Sequence, residues 1–246
     1  MLNARTPEGR REIMALWANT PDGVKLINPP LDFPTGLSSP QNISWVGDGY
    51  SMIDGDDLYF YDVLGRAILN KVFTLRSGEQ YWGMAYDGTD LYAKHTHSAR
   101  LYRISTTNGA ILNTYNQSPD RRLLGLTFNG ENLVGVQAEG GDALVTISRT
   151  GNEISRVAIS GVGTAQGIAF ADDLYWIVES NYRGVKVFNA RGVRQTDREF
   201  TWPSAPPAPS SSPAGITYDG QFLRIVEVNA DRVITFKLDG TWMGGV

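Results

Sequence analysis

Residues 83–115 read GMAYDGTDLYAKHTHSARLYRISTTNGAILNTY. Three tight-turn signals punctuate the stretch: Asp87-Gly88, the His97–Arg100 loop and Asn108-Gly109. Between them lie four short runs rich in Tyr, Leu, Ile and Thr. Asp-Gly and Asn-Gly between apolar runs mark two-residue hairpin turns, because both residues accept the positive φ that such turns demand. The stretch therefore predicts four antiparallel strands in succession. Gly125-Leu-Thr-Phe-Asn-Gly, Gly167-Ile-Ala-Phe-Ala-Asp and Gly215-Ile-Thr-Tyr-Asp-Gly open further copies, and a diverged copy starts near Ile43. Four strands repeated at a step of about 40 to 50 residues predict the blades of a β-propeller, an all-β fold.

The repeats cover about residues 43–75, 83–117, 125–159, 167–202 and 215–246. The first strand of each is small and apolar (GMAY, GLTF, GIAF, GITY), which suits the crowded wall of a central channel. The third strand alternates, as in Leu101-Tyr-Arg-Ile-Ser and Val185-Lys-Val-Phe. Alternation at period two puts apolar side chains between neighbouring blades. A single blade cannot bury both faces, whereas stacking blades in a closed ring buries them and removes most exposed edges.

Ahead of the repeats, residues 1–12 form a polar arm carrying Arg5, Arg10 and Arg11. Ile13–Trp17 and Val24–Ile27 flank Thr20-Pro-Asp-Gly23 and predict a hairpin. The sequence predicts one propeller over residues 13–246 with six blades, one incomplete. The alternative is five blades with the N-terminal hairpin outside the ring. The last repeat reads as carrying all four of its own strands. Trp202–Pro213 is proline-rich and predicts an extended surface loop.

Composition narrows the function. The net charge is −4 with a pI near 5.2, which argues against a general nucleic-acid binder. There are no cysteines, hence no disulfide, thiolate nucleophile or cysteine metal site. No run has a signal-peptide core or the length to span a bilayer, so membrane insertion is not expected and a cytoplasmic or particle-borne chain is.

SPQNISWVGDGYSMID, the stretch from Gly83 and SPAGITYDGQFLRIVEVNADRVITFKLDGT resemble NHL-type and gluconolactonase-type propellers. The resemblance implies blade geometry, since the matching residues are turn glycines and strand positions. Propellers of this kind include metal-dependent lactonases, lyases and interaction platforms.

Chemistry is expected on the face that collects the loops after strand two and the links between blades, where loops are longer and more varied. Asp54 or Asp56, His95 or His97, Glu139, Glu179 and Glu227 fall near the ends of the second strands. Converging on the axis, they would suit calcium or zinc. Pointing outward, they would pair with Arg100, Arg183 or Arg232. The fourth blade is expected to be offset by one position. Tyr81, Trp82, Tyr182 and Trp202, with Arg121 and Arg122 and the two histidines, form the candidate binding set, since Tyr, Trp and Arg dominate interface hot spots and stack on sugars. Strong scaffold signals beside weak chemical ones point to a non-catalytic interaction or structural module that binds other protein subunits, such as a virion or tail-type accessory protein, with no resident cofactor. A lactonase-like hydrolase and a glycan-binding propeller are the alternatives.

Overall fold

The computed structural model describes residues 16–20, 23–27, 32–75, 80–95, 98–119, 122–137, 141–180, 182–202 and 213–244. β1 (Leu16–Thr20) and β2 (Gly23–Ile27) form the expected hairpin, a two-stranded sheet of its own. A two-residue strand, β3 (Phe33–Pro34), follows. Blade 1 comprises β4 (Pro40–Trp45), β5 (Gly49–Asp54), β6 (Asp57–Asp62) and β7 (Ala67–Thr74). Blade 2 comprises β8 (Tyr81–Tyr86), β9 (Asp90–His95), β10 (Arg100–Ser105) and β11 (Ile111–Asn116). Blade 3 comprises β12 (Leu123–Phe128), β13 (Leu133–Gln137), β14 (Ala143–Ile147) and β15 (Glu153–Ala158). Blade 4 comprises β16 (Ala165–Ala171), β17 (Leu174–Glu179), β18 (Tyr182–Asn189) and β19 (Phe200–Thr201). Blade 5 holds β20 (Pro213–Tyr218), β21 (Leu223–Glu227) and β22 (Arg232–Phe236), and β3 supplies its outer strand.

The ring thus has five blades, as the alternative reading holds, and the six-blade expectation is corrected. Each inner strand packs on the next, and β20 returns to β4, so the ring is closed. Five apolar cores lie at the five blade boundaries. Period-two alternation produces them. Leu91 and Ala93 of β9 enter the core shared with blade 1, while Tyr92 between them enters the core shared with blade 3. Every inner strand also carries a register shift beside the repeat-opening position, at Gln41, Trp82, Gln166 and Ala214 in four blades and across Leu124-Gly125 in the third. The opening positions themselves, Asn42, Gly83, Gly125, Gly167 and Gly215, form a belt where the strand backbones come closest.

The last repeat does not complete itself. Its outer strand is assembled end to end from both ends of the ring. Pro34 and Phe33 pair with Arg232 and Val233, while Trp242 bridges Phe236 and Met243 N–H donates to Thr235 C=O at 2.9 Å. Asp32 joins the two pieces: its Oδ1 accepts from Thr235 N at 2.9 Å and its Oδ2 from Trp242 Nε1 at 3.2 Å. Burial raises the Asp32 pKa, against the opposing pull of those donors and of Arg232 and Arg224. Because the folded value lies above the unfolded one, the stability this carboxyl contributes is full below the unfolded pKa and falls as pH rises through the raised value. Asp32→Asn does not titrate. The stability difference between parent and variant is therefore expected to be most favourable to the parent at acid pH, to decline through the weakly acidic range and to be flat above it, read by urea unfolding at stepped pH. A difference independent of pH contradicts this.

Candidate functional site

The ends of the second strands form one equivalent set. Asp54, His95, Gln137, Glu179 and Glu227 pair in register with Pro40, Tyr81, Leu123, Ala165 and Pro213. The fourth blade carries no offset, and the third-blade member is Gln137, while Glu139 lies outside the described residues. These groups are engaged within their own blades and the adjoining links. Asp54 Oδ2 accepts from Ser38 N and Oγ at 2.8 and 3.0 Å. Gln137 Oε1 accepts from Arg156 Nε at 3.1 Å. Buried Glu179 pairs with Lys186 Nζ at 2.9 Å and accepts from Gly163 N. Buried Glu227 pairs with Arg232 Nε at 3.0 Å. Near Glu179, burial and then the Glu179 charge raise the Asp142 pKa, with Lys186 opposing. Among the described residues, no three His, Asp or Glu side chains approach closely enough to share a metal ion.

The aromatic candidates divide. Tyr81 is fully buried, edge-on to Tyr102. Trp202 is buried in the core between blades 4 and 5, stacked on Phe236 at 5.3 Å. Both serve packing rather than the surface role expected of them. Trp82 is half-buried with the Arg122 guanidinium 5.5 Å over its ring, and Lys186 Nζ lies 4.9 Å over the Tyr182 ring. His95 sits edge-on to Tyr81 at 6.4 Å. His97, Arg121 and the arm 1–12 lie outside the described residues.

The opposite face, where the Asp-Gly and Asn-Gly turns join strands one and two, holds a feature the sequence reading passed over. Trp45, Tyr86, Phe128, Phe170 and Tyr218 occupy one equivalent position in all five inner strands, just before the turns. All five are half-buried. They ring a depression of about 130 Å³ on the axis, with Ser44, Thr127 and Thr217 also lining it. The turns beneath are rigid. Asp87 Oδ1 accepts from Thr89 N and Asp90 N, Asn129 Oδ1 from Glu131 N and Asn132 N, and Asp219 Oδ1 from Gln221 N and Phe222 N. Each turn is also tied to the next blade: Asp87 to Arg149 at 3.3 Å, Asn129 Nδ2 to Tyr175 at 3.3 Å, and Asp219 to Tyr50 at 3.0 Å. The signal in the sequence was the aromatic that closes GMAY, GLTF, GIAF and GITY.

The chain is a five-bladed β-propeller. No protein-family model matches it, nor does any curated protein. Solved structures match the fold. Glutaminyl cyclase of Myxococcus xanthus is similar at 14% identity and a TM-score of 0.64, over 83% of this chain and 92% of that one. A chain of the nidogen–laminin complex is similar at 14% identity and 0.58, over 84% and 80%. A streptogramin B lyase is similar at 17% identity and 0.51, over 86% and 70%. At these identities the likeness is one of fold, and the fold hosts both enzymes and binding proteins.

Proposed function

We propose that the protein is a non-catalytic interaction module that docks another polypeptide on the outer edge of blades 1 to 3. The observation that carries this is an asymmetry of the rim. Blade 4 ends in the two-residue strand Phe200–Thr201, and the outer edge of blade 5 is broken into Phe33–Pro34 and the segment at Trp242–Met243, which blunts both edges. Blades 1 to 3 end in β7, β11 and β15, of eight, six and six residues. Those strands display large apolar side chains: Leu69 (86% exposed), Val72, Ile111, Leu112 and Ile154 (55%). β11 reads ILNTYN, without a charge to deter pairing. An edge of this kind fits an extended, apolar segment that adds a further strand, with backbone hydrogen bonds giving affinity and alternate side chains giving specificity. Engagement of Glu179 by Lys186 and of Glu227 by Arg232 favours this reading over hydrolysis. The NHL-type resemblance agrees, since its motifs are turn and strand residues. A subunit of a virion or tail assembly is the setting it suits.

A photo-crosslinking side chain placed at Leu112 is expected to capture one polypeptide in the native source, through contiguous residues of a single extended segment. The same group at exposed Asp239 is expected to capture none. Leu112→Lys is expected to weaken that association at least tenfold without lowering the melting temperature. Absence of a captured polypeptide at position 112, or equal capture at 239, overturns the proposal.

A further inference from the structure

We infer that the partner at the outer edge of blade 2 is a second copy of this chain, whose β1–β2 hairpin adds to β11. The inference names the occupant of the edge proposed above and rests on that reading. It starts from a sheet with no place in the ring. β1 and β2 pair with each other, Leu16 opposite Ile27 and Trp17 opposite Leu26, and among the described residues they join no blade. A lone two-stranded hairpin is marginal in water and becomes stable when further strands or a packing surface are added. LWANT and GVKLI hold Leu16, Trp17, Val24, Leu26 and Ile27 beside a single charge, Lys25. The ring offers the complementary piece. β11 is six residues long, exposed and uncharged, with Ile111 and Leu112 on its surface. β7 carries Lys71, and β15 carries Glu153 and Arg156, charges that deter pairing.

The tether decides between the chain's own β11 and another's. Residues 28–31 are all that separates β2 from Asp32, which is fixed to Thr235 and Trp242 of blade 5. Fully extended, the chain from Ile27 to Asp32 spans about 18 Å. Strands about 4.8 Å apart put each outer strand about 14 Å or more from the axis, so the outer edges of blades 5 and 2, two positions apart in the ring, are separated by about 27 Å or more. The hairpin therefore cannot reach its own β11, whereas that of a neighbour is open to it. Donor and acceptor are different surfaces, so each copy gives a hairpin and receives one, a heterologous contact. Two five-residue strands make a small interface, so association is expected to depend on concentration.

The test mixes two variants of the full chain and follows mass by sedimentation velocity. Trp17→Asp/Leu26→Asp disables the hairpin and leaves β11 intact. Leu112→Lys disables β11 and leaves the hairpin intact. The parent chain is expected to self-associate as its concentration rises. Each variant alone is expected to associate at least tenfold more weakly. Neither is expected to change the melting temperature, because the hairpin is a sheet apart from the ring and Leu112 is exposed. An equimolar mixture of the two is expected to form one-to-one pairs, since one intact hairpin then meets one intact edge. If Leu112→Lys lowers the melting temperature, Thr114→Lys, also at an exposed position of β11, takes its place. A photo-crosslinker at position 112 of a heavy-isotope copy is expected to join residues 16–27 of a light one. The inference is overturned, with the edge reading intact, if the hairpin variant self-associates like the parent, if the mixture fails to pair, or if the purified chain stays monomeric while position 112 captures a different polypeptide from the native source. It falls together with that reading if the purified chain stays monomeric and position 112 captures nothing.

Discussion

Replacing Arg224 with alanine is expected to lower the unfolding free energy by about 3–5 kcal/mol, the range for removing one partner of a buried ion pair. Arg224 is 1% exposed on β21, at the seam where the last blade meets the first. Its Nε donates to Asp219 Oδ2 at 2.8 Å and its Nη1 to Thr235 Oγ1 at 2.6 Å. The guanidinium lies between the rings of Tyr50 and Phe222, at 5.6 and 5.4 Å. Truncation leaves the Asp219 carboxylate buried with only neutral donors, among them Tyr50 Oη at 3.0 Å. That hydroxyl is itself held protonated far above its usual range, first by burial and then by the Asp219 charge. The double variant Arg224→Met/Asp219→Asn removes both charges while keeping an amide oxygen for the turn. It is expected to recover more than half of the loss. Urea unfolding of the two variants reads both effects, and a loss below about 1 kcal/mol for Arg224→Ala, the worth of an exposed pair, contradicts the account.

The repeats were legible because their signals are local. Asp-Gly and Asn-Gly turns, and alternation along strands such as β10, depend on residues a few positions apart. Closure was not. Phe33–Pro34 is two residues long, follows Pro29-Pro30 and pairs with Arg232 and Val233 at the far end of the chain. Nothing in so short a segment announces a strand. The same distance effect governs the candidate sites. Asp54, His95, Glu179 and Glu227 were readable as equivalents, but their fate is set by Lys186, Arg232 and Ser38, which pairing and linkage bring beside them. The aromatic ring was visible one blade at a time. That five aromatics share one mouth follows only from a closed ring, and the reading of those strands as channel wall did not separate the mouth from the middle.

Gly167→Ala is expected to cost about 3 kcal/mol or more, at the upper end for overpacking, because the added methyl meets backbone that cannot step aside. A Cβ at Gly167 would lie 2.8 Å from both Gly215 Cα and Ile216 N. Gly215 in turn abuts Asn42, and Gly125 abuts Gly167, so the contacts pass round the axis from one inner strand to the next. Moving β20 away from β16 therefore presses it toward β4, and no blade can absorb the displacement alone. For a chain of this size the loss corresponds to a fall in melting temperature of about 6–12 °C. Gly130→Ala is the informative comparison. Gly130 has a φ of +95° but nothing within 4 Å of a Cβ, so alanine there carries backbone strain without collision. Its cost is expected near about 1–2 kcal/mol, the penalty of left-handed backbone for an L-residue. If Gly167→Ala proves the milder of the two, the close approach of the inner strands does not limit stability, and the belt reflects chain conformation instead. If it is the more severe, the narrow axis is what fixes the ring, and the depression at its mouth inherits that rigidity.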